Sequence, residues 1–128
     1  MSTDLPPDIK RQLVKILKQI SLECELEALA VVNLEGLKVA FFAEKGTDPD
    51  LMAAVSSALL NTGKMATNQL AHGELEQVVV RGKEGFSVLS SVGRYILIGA
   101  SHDLHSVGLA IQVMRRHVDD VMDVLSRA

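Results

Sequence analysis

The sequence predicts an α+β fold, with one antiparallel sheet of five strands and three helices in the order α-β-β-α-β-β-β-α. Three segments carry apolar residues at helical spacing. Five short runs are rich in valine, isoleucine, leucine or phenylalanine, and short links join the first two runs and the last three. Because hairpin-linked strands are antiparallel, these patterns favour helices packed on a single antiparallel sheet.

The first helix is predicted to begin at Pro6 and Pro7, because proline costs no hydrogen bond in the first helical turn. Lysine and arginine side chains lie mostly off its apolar face, so the helix needs a surface to cover that face. The apolar face consists of Ile9, Leu13, Ile16, Leu17 and Ile20.

A hairpin is predicted in the stretch VVNLEGLKVAFF, where two apolar runs flank the turn that begins at Asn33 and ends at Gly36. Asparagine favours the first position of a type I turn, and glycine tolerates a positive φ at the fourth. We therefore expect Gly36 to be a structural turn residue with a β-bulge, and not part of a ligand site. Both strands are almost wholly apolar, which predicts that both lie in the interior of the sheet.

The central helix is predicted to begin at a cap, Thr47 or Asp48, followed by Pro49, and to stop at Gly73. Gly63 lowers helix propensity by about 1 kcal/mol relative to alanine, yet the helical pattern continues past it. One apolar stripe consists of Met52, Val55, Leu59, Ala66 and Leu70. A second stripe, smaller and mildly polar, consists of Leu51, Ala54, Ala58, Asn61 and Met65.

Three further strands are predicted at Glu76–Arg81, Phe86–Ser91 and Arg94–Ser101, joined by the short links GKEG and VG. Gly85 and Gly93 are expected to be structural turn residues, with GKEG repeating the glycine-at-fourth pattern of the first hairpin. The last strand is the most apolar and is expected to be central. A final helix, capped by Asp103 or Ser106, carries the stripe Val107, Ile111, Met114, Val118, Val121 and Leu125.

Composition limits the classes of function. The chain has 128 residues, 48% of them hydrophobic, which predicts one domain over residues 1–128 with only Met1 to Leu5 flexible. The net charge is −3 without a block of Lys and Arg, so no nucleic-acid partner is expected. No run approaches the roughly 20 apolar residues of a membrane span. A single cysteine, Cys24, fits a reducing, cytoplasmic location.

The sequence gives little support for a metal site or a catalytic site. His102 and His105 have HxxH spacing around Asp103, but no third ligand lies near them in sequence, and His72 and His117 are isolated. No metal is therefore expected, and the histidines are interpreted as surface residues.

Cys24 lies beside two glutamates, whose charges raise a thiol pKa and disfavour a nucleophile. The GK pair of NTGK falls inside a helical pattern, unlike a phosphate-binding loop. Carboxylate pairs at i,i+4 spacing are typical of a solvated helix face. We expect no cofactor and no enzyme activity.

One surface remains without a covering partner. The strand Glu76, Gln77, Val78, Val79, Val80, Arg81 opens the three-strand group, so we expect it at a sheet edge, where three valines would be exposed. The small-residue stripe of the central helix also needs a partner. Two chains meeting edge to edge, with their central helices side by side, would cover both features. In the alternative, the terminal helices cover both features within one chain.

Three stretches resemble the roadblock/dynein-light-chain domain family, and the resemblance spans Ile9 to Leu125. AVVNLEGLKVA is similar to the first hairpin of the family, and MAAVSSALLNTGKMATNQL to its small-residue central helix. YILIGASHDLHSVGLAIQVMRRHVDDV is similar to its last strand and final helix. The resemblance implies one long helix on one face of a five-stranded sheet and the outer helices on the other. It also implies homodimers joined through the third strands and central helices.

The resemblance further implies a partner. Family members are mostly non-enzymatic adaptors, and many in bacteria and archaea act beside small Ras-like GTPases as regulators or scaffolds. The bacterial gliding-polarity member assists GTP hydrolysis by remodelling the site of its GTPase, without an inserted arginine finger. The implied function is thus a homodimeric adaptor or regulator of a small Ras-like GTPase. The alternative is a small-molecule sensor of PAS-like or profilin-like type, which would need an apolar pocket with convergent polar groups.

Overall fold

The computed structural model describes residues 5–44 and 46–128, so most of the segment expected to be flexible lies outside the described residues. The elements follow the predicted order, which confirms the fold class. The helices are α1 (Pro7–Cys24), α2 (Pro49–Gln69) and α3 (Val107–Leu125), with a 3-10 turn at Leu104–Ser106. The strands are β1 (Ala28–Asn33), β2 (Lys38–Ala43), β3 (Gln77–Arg81), β4 (Phe86–Val92) and β5 (Tyr95–Ser101).

All five strands form one antiparallel sheet in the spatial order β2-β1-β5-β4-β3. As predicted, β5 is central and β3 is an edge strand. The prediction that β2 lies in the interior is wrong, because β5 occupies the second side of β1 and leaves β2 at the other edge. The apolar sequence of β2 instead reflects its two covered faces: Phe42 packs on the α1 side and Phe41 on the α2 side.

The helices cover both faces of the sheet. α1 and α3 pack on one face, around buried side chains such as Leu17, Leu97 and Met114. α2 alone packs on the other face, around Leu60 and Ile96. Leu97 and Ile96 are consecutive on β5 and enter opposite cores, as the alternation of side chains along a strand requires.

Local hydrogen bonds fix where the helices begin. α1 has proline at its first position, and the Asp48 carboxylate caps α2 by accepting from the amides of Asp50 and Leu51. Before α3, the Asp103 carboxylate accepts a hydrogen bond from the amide of His105, whereas the side chain of Ser106 makes no capping hydrogen bond. Asp48 thus caps α2, whereas Asp103 caps the 3-10 turn, and Ser106 occupies the N-cap position of α3 without a side-chain hydrogen bond.

The buried face of α2 differs from the apolar stripe expected in the sequence. Of that stripe only Met52 is buried, while Val55, Ala66 and Leu70 are exposed. The residues of α2 that are buried are Met52, Ala53, Ser56 and Leu60. This face thus combines two large side chains with two small ones. The helix also ends at Gln69, before the predicted stop at Gly73.

Gly63 marks the closest approach of α2 to β3. A Cβ atom at Gly63 would lie 2.8 Å from Cγ2 of Val78 and 3.1 Å from Cδ2 of Leu75. The absence of a side chain at Gly63 leaves room for Val78 and Leu75, and this packing offsets the lower helix propensity of glycine.

The first hairpin turn is fixed by Asn33 and anchored on α2. The Asn33 side-chain oxygen accepts from the amides of Glu35 and Leu37, both at 3.0 Å, and Gly36 has φ +89°. The hydroxyl of Ser57 donates to the carbonyl of Leu34 at 3.0 Å, which holds the turn against the helix. The ladder of this hairpin carries a register shift next to Val31.

The later turns use glycine differently. Gly93 has φ +60° and occupies the first of two positions between the paired residues Val92 and Tyr95, as a tight hairpin turn requires. The expectation that Gly85 repeats the role of Gly36 is wrong, because Gly85 does not have a positive φ. Its Cβ would instead lie 2.9 Å from the carbonyl oxygen of Ser101, so glycine is needed there for a close backbone approach.

We predict that Gly36→Val lowers the free energy of unfolding by about 2–4 kcal/mol, because it adds positive-φ strain to overpacking. A Cβ at Gly36 would lie 3.4 Å from Cβ of Ser57. Gly73→Val is the matched control, since Gly73 has φ +86° and no atom within 4 Å of the added Cβ. Urea unfolding should show a larger loss for Gly36→Val. Equal losses would mean that the contact with α2 contributes nothing.

Candidate interaction surface

The outward face of α2 exposes apolar side chains along the helix. Leu51 and Met65 are 62% and 65% exposed, and Val55 is also exposed. Ala54, Ala58 and Asn61 lie between them and are exposed as well. All five residues of the second sequence stripe therefore lie at the surface, and Val55 joins them. Small side chains at the centre of this face would let another helix approach closely.

The open edge of β3 lies beside this helix face. The amide of Ser91 donates to the carbonyl of Glu76 at 3.0 Å, which directs the backbone of Glu76 toward β4. Since backbone direction alternates along an antiparallel strand, the amides and carbonyls of Gln77, Val79 and Arg81 point to the open edge. Val79 and Val80 are 43% and 41% exposed there.

The helix face and the strand edge form one surface. Gly63 and Val78 join them at one end, and a groove of about 710 Å³ joins them at the other, lined by Leu51 and Val55 on α2 and by Val80 on β3. We call this combination the α2–β3 surface. It consists of Leu51, Ala54, Val55, Ala58, Asn61 and Met65 on α2 together with the β3 segment Glu76–Arg81.

Gln77 belongs to this surface only through its backbone. Its side-chain nitrogen donates to the hydroxyl of Ser90 at 3.2 Å and to the carbonyl of Ile111 at 3.1 Å, so the side chain is directed toward α3. These bonds hold the start of the edge strand against α3. The sequence offered no signal for this role, because the partners lie on distant elements.

The histidines form carboxylate pairs. His102 Nδ1 lies 2.7 Å from Oε2 of Glu27, and His105 Nδ1 lies 3.2 Å from Oδ1 of Asp103; both histidines are exposed. Within residues 5–44 and 46–128, no group of three or more His, Cys, Asp and Glu side chains is arranged to hold a metal ion.

His117 is not isolated, contrary to the sequence interpretation. Its buried ring lies between two carboxylates, with Nε2 2.7 Å from Glu23 Oε2 on α1 and Nδ1 3.0 Å from Asp120 Oδ2 on α3. The ring thus connects the first and last helices. Its spacing of three residues from Met114 and four from Val121 places it on the buried stripe of α3, a signal that the sequence did contain.

Cys24 is a buried structural thiol. Its Sγ lies 3.1 Å from the carbonyl oxygen of Ile20, and the side chain is fully buried. Burial, and then the charge of Glu23, raise the pKa of the Cys24 thiol from 9.0 to about 11. This confirms the predicted direction and identifies desolvation as the larger cause. The thiol stays protonated near neutral pH and is a poor nucleophile.

The fold and this surface define a class of small α+β domain, in which one helix face and the sheet edge beside it are left uncovered. The chain belongs to the Roadblock/LC7 domain family, whose sequence profile matches residues 14–101. Members of this family are typically non-enzymatic regulators. No helix within the described residues is both long and apolar enough to cross a membrane.

Known proteins resemble this chain in sequence or in structure. The uncharacterized protein MJ0310 of Methanocaldococcus jannaschii is 23% identical over 107 residues, covering 84% of this chain and 94% of that protein. A structure described as MglB with tetrameric arrangement has a TM-score of 0.85 at 14% identity, covering 96% of this chain and 94% of that one. Myxococcus xanthus MglB has a TM-score of 0.84 at 11% identity, covering 96% and 93%.

The profilin-like character of the fold is also confirmed. Profilin IB of Acanthamoeba castellanii has a TM-score of 0.51 at 17% identity, covering 77% of this chain and 86% of that one. At these identities the solved structures establish the fold alone.

We predict that deprotonation of Cys24 lowers the free energy of unfolding as the pH rises. Since the folded-state pKa is raised above the ordinary value, the protonated thiol stabilises the fold fully below about pH 9, and this contribution is lost as the pH rises through about 11. Urea unfolding between these pH values should show a steeper loss for the wild type than for Cys24→Ala. The variant removes this titration and leaves the other groups in place, so parallel curves would contradict the prediction.

Proposed function

We propose that the chain is a non-enzymatic adaptor that forms a homodimer through the α2–β3 surface and binds a small Ras-like GTPase. In this dimer the two β3 strands pair across a twofold axis, and the two α2 helices lie side by side. The observation that carries the proposal is the continuity of the exposed α2 face with the open β3 edge.

Pairing of β3 edges would satisfy backbone groups that a single chain leaves to water. The amide and carbonyl of Val79 point to the open edge and would bond to the same strand of a second copy. A twofold contact of this kind is self-complementary, since each surface meets its own copy. The exposed valines of β3 would then lie inside one continuous sheet.

Packing of α2 against α2 would bury the apolar side chains of the helix. Leu51, Val55 and Met65 would leave water, and removal of apolar surface contributes about 25 cal/mol per Å². Ala54 and Ala58 lie between them and permit a short distance between helix axes. One contact would thus cover the helix face and the sheet edge together.

The GTPase partner follows from the family. Roadblock proteins of bacteria and archaea act beside small Ras-like GTPases, and this chain shares its fold with MglB over nearly its whole length. In the proposed complex the dimer modulates the activity or location of the GTPase in the cytoplasm. The chain acts there as one domain and uses no cofactor.

A small-molecule sensor is the second candidate, and the groove of about 710 Å³ beside Val55 and Val80 is the observation in its favour. Against it, the core between α2 and the sheet is filled, with Leu60, Leu89 and Ile96 fully buried. The groove is also open to solvent, whereas sensor pockets enclose most of the ligand. A metabolite retained by the purified protein would favour this second function.

We predict that Val79→Pro converts the dimer to a monomer. Proline removes an amide that points to the open edge and leaves the bonds between β3 and β4 in place. Light scattering coupled to size-exclusion chromatography gives the molar mass directly. The matched control is Leu22→Glu, which adds charge at an apolar residue of α1 that is 85% exposed.

The control variant should remain dimeric. A wild-type protein that is monomeric at about 100 μM, a concentration at which even weak specific dimers associate, would overturn the dimer proposal. A Val79→Pro variant that stays dimeric would place the interface elsewhere.

We predict that the wild-type dimer binds a small Ras-like GTPase encoded beside its gene, with an affinity that differs between the GTP-bound and GDP-bound states. Isothermal titration with each nucleotide state measures this difference, and a hydrolysis assay reports any change in rate. Absence of binding in both states, with hydrolysis unchanged, would overturn the GTPase proposal and leave the dimer proposal intact.

A further inference from the structure

The sheet has a second open edge, on β2, that the α2–β3 surface does not use. The amide of Glu44 donates to the carbonyl of Glu27 at 2.8 Å, which directs the backbone of Glu44 toward β1. By alternation, the amides and carbonyls of Phe41 and Ala43 point away from the sheet. Among the described residues no backbone group pairs with this side of β2.

Lysines from two elements lie along this edge. Lys38 begins β2 and is exposed. Lys18 of α1 reaches the strand, since its Nζ lies 5.9 Å from the centre of the Phe42 ring. Val14 precedes Lys18 by one helical turn and therefore lies on the same flank of α1. This flank lies beside β2, whereas Glu23, on the opposite flank, contacts α3 through His117.

Helix α1 brings basic residues close together that are separated in the sequence. A groove of about 420 Å³ on α1 is lined by Lys10, Arg11, Val14, Lys15 and Lys18. From Ile9 to Leu22 the sequence contains no acidic residue. Arg11 is paired with the carboxylate of Asp8. The sequence showed no block of like charges, yet Lys15 and Lys18 lie on one side of the helix, because residues three to four positions apart share a side.

Three kinds of partner could cover this edge, and they differ in how well their charges suit those around it. A second copy would bring its own lysines against these lysines, which opposes pairing of β2 with β2. A membrane would also contact α3, on the same face of the sheet, where Asp119, Asp120 and Asp123 are exposed and would repel anionic lipid. A narrow acidic strand would meet the lysines without reaching those carboxylates.

We propose that the β2 edge binds an extended acidic segment of a partner protein by strand addition. The backbone of the segment pairs with Phe41 and Ala43. Acidic side chains on one face of the segment meet Lys18 on the α1 side of the sheet, and those on the other face meet Lys38 on the α2 side. Main-chain pairing supplies affinity in this mode of recognition, and side chains supply specificity. The site lies at the opposite end of the sheet from β3, so it stays open in the proposed dimer and does not depend on it.

The test uses a fluorescent peptide of about eight residues, the length of an ordinary strand, with glutamate and valine in alternating pairs (Glu-Glu-Val-Val), so that both of its faces carry glutamate. Fluorescence anisotropy should show saturable binding that weakens with added salt. The lysine analogue of the peptide should not bind. Amide exchange measured by NMR should slow at Phe41 and Ala43 in the complex.

Three variants separate the parts of the site. The double variant Lys18→Glu/Lys38→Glu should weaken binding at least about tenfold, since two favourable ion pairs become repulsions. Ala43→Pro should weaken it by removing an outward amide while leaving the β1–β2 bonds in place. Lys83→Glu, in the β3–β4 turn at the opposite edge, reverses a single lysine charge and should leave binding unaltered.

Several outcomes would overturn the proposal. One is absence of saturable binding. Another is binding that the lysine variants weaken but Ala43→Pro does not, which would indicate charge attraction without strand addition. Retention of the protein by phosphatidylserine vesicles through the same lysines would identify a membrane as the occupant. A change in molar mass caused by Ala43→Pro would identify a second copy.

Discussion

The close packing of α2 on the sheet is the constraint on which the rest of the molecule depends. Among the described residues α2 is the only helix on its face of the sheet, so its position decides which parts of that face are covered. Gly63 admits Val78 and Leu75 at distances that no side chain there would allow. With the helix held at that point, Met52 and Leu60 are buried against the sheet, and the opposite face of α2, with Leu51 and Met65, is left exposed.

The two edges of the sheet differ in their chemistry. β3 presents Val79 and Val80 to solvent, while β2 begins with Lys38 and lies under Lys18. Charged residues at an edge oppose pairing with a copy of that edge, whereas uncharged valines permit it. In the proposed dimer, self-association uses one end of the sheet, and the other end stays available for a different partner. This asymmetry is consistent with an adaptor, which needs two kinds of contact.

Features that depend on residues close together in the chain were predicted correctly from the sequence. The strand order near the C-terminus, the capping of α2 by Asp48 and the turn at Gly36 all follow from short-range chemistry. Features that depend on distant elements were missed. β2 was expected in the interior because its residues are apolar, and its edge position depends on β5. Likewise, His117 could not be paired with Glu23 from the sequence, since the two residues are 94 positions apart.

The pairing of β1 with β5 also bears on how the chain folds during synthesis. β1 is apolar on both faces, and its second hydrogen-bonding side is completed only by β5, which follows α2 and two further strands in the chain. The N-terminal hairpin therefore leaves the ribosome with an unpaired apolar strand. Non-local pairing of this kind slows folding and prolongs exposure of such a strand. An unpaired apolar strand can pair with other chains, so a chain truncated before β5 is expected to aggregate.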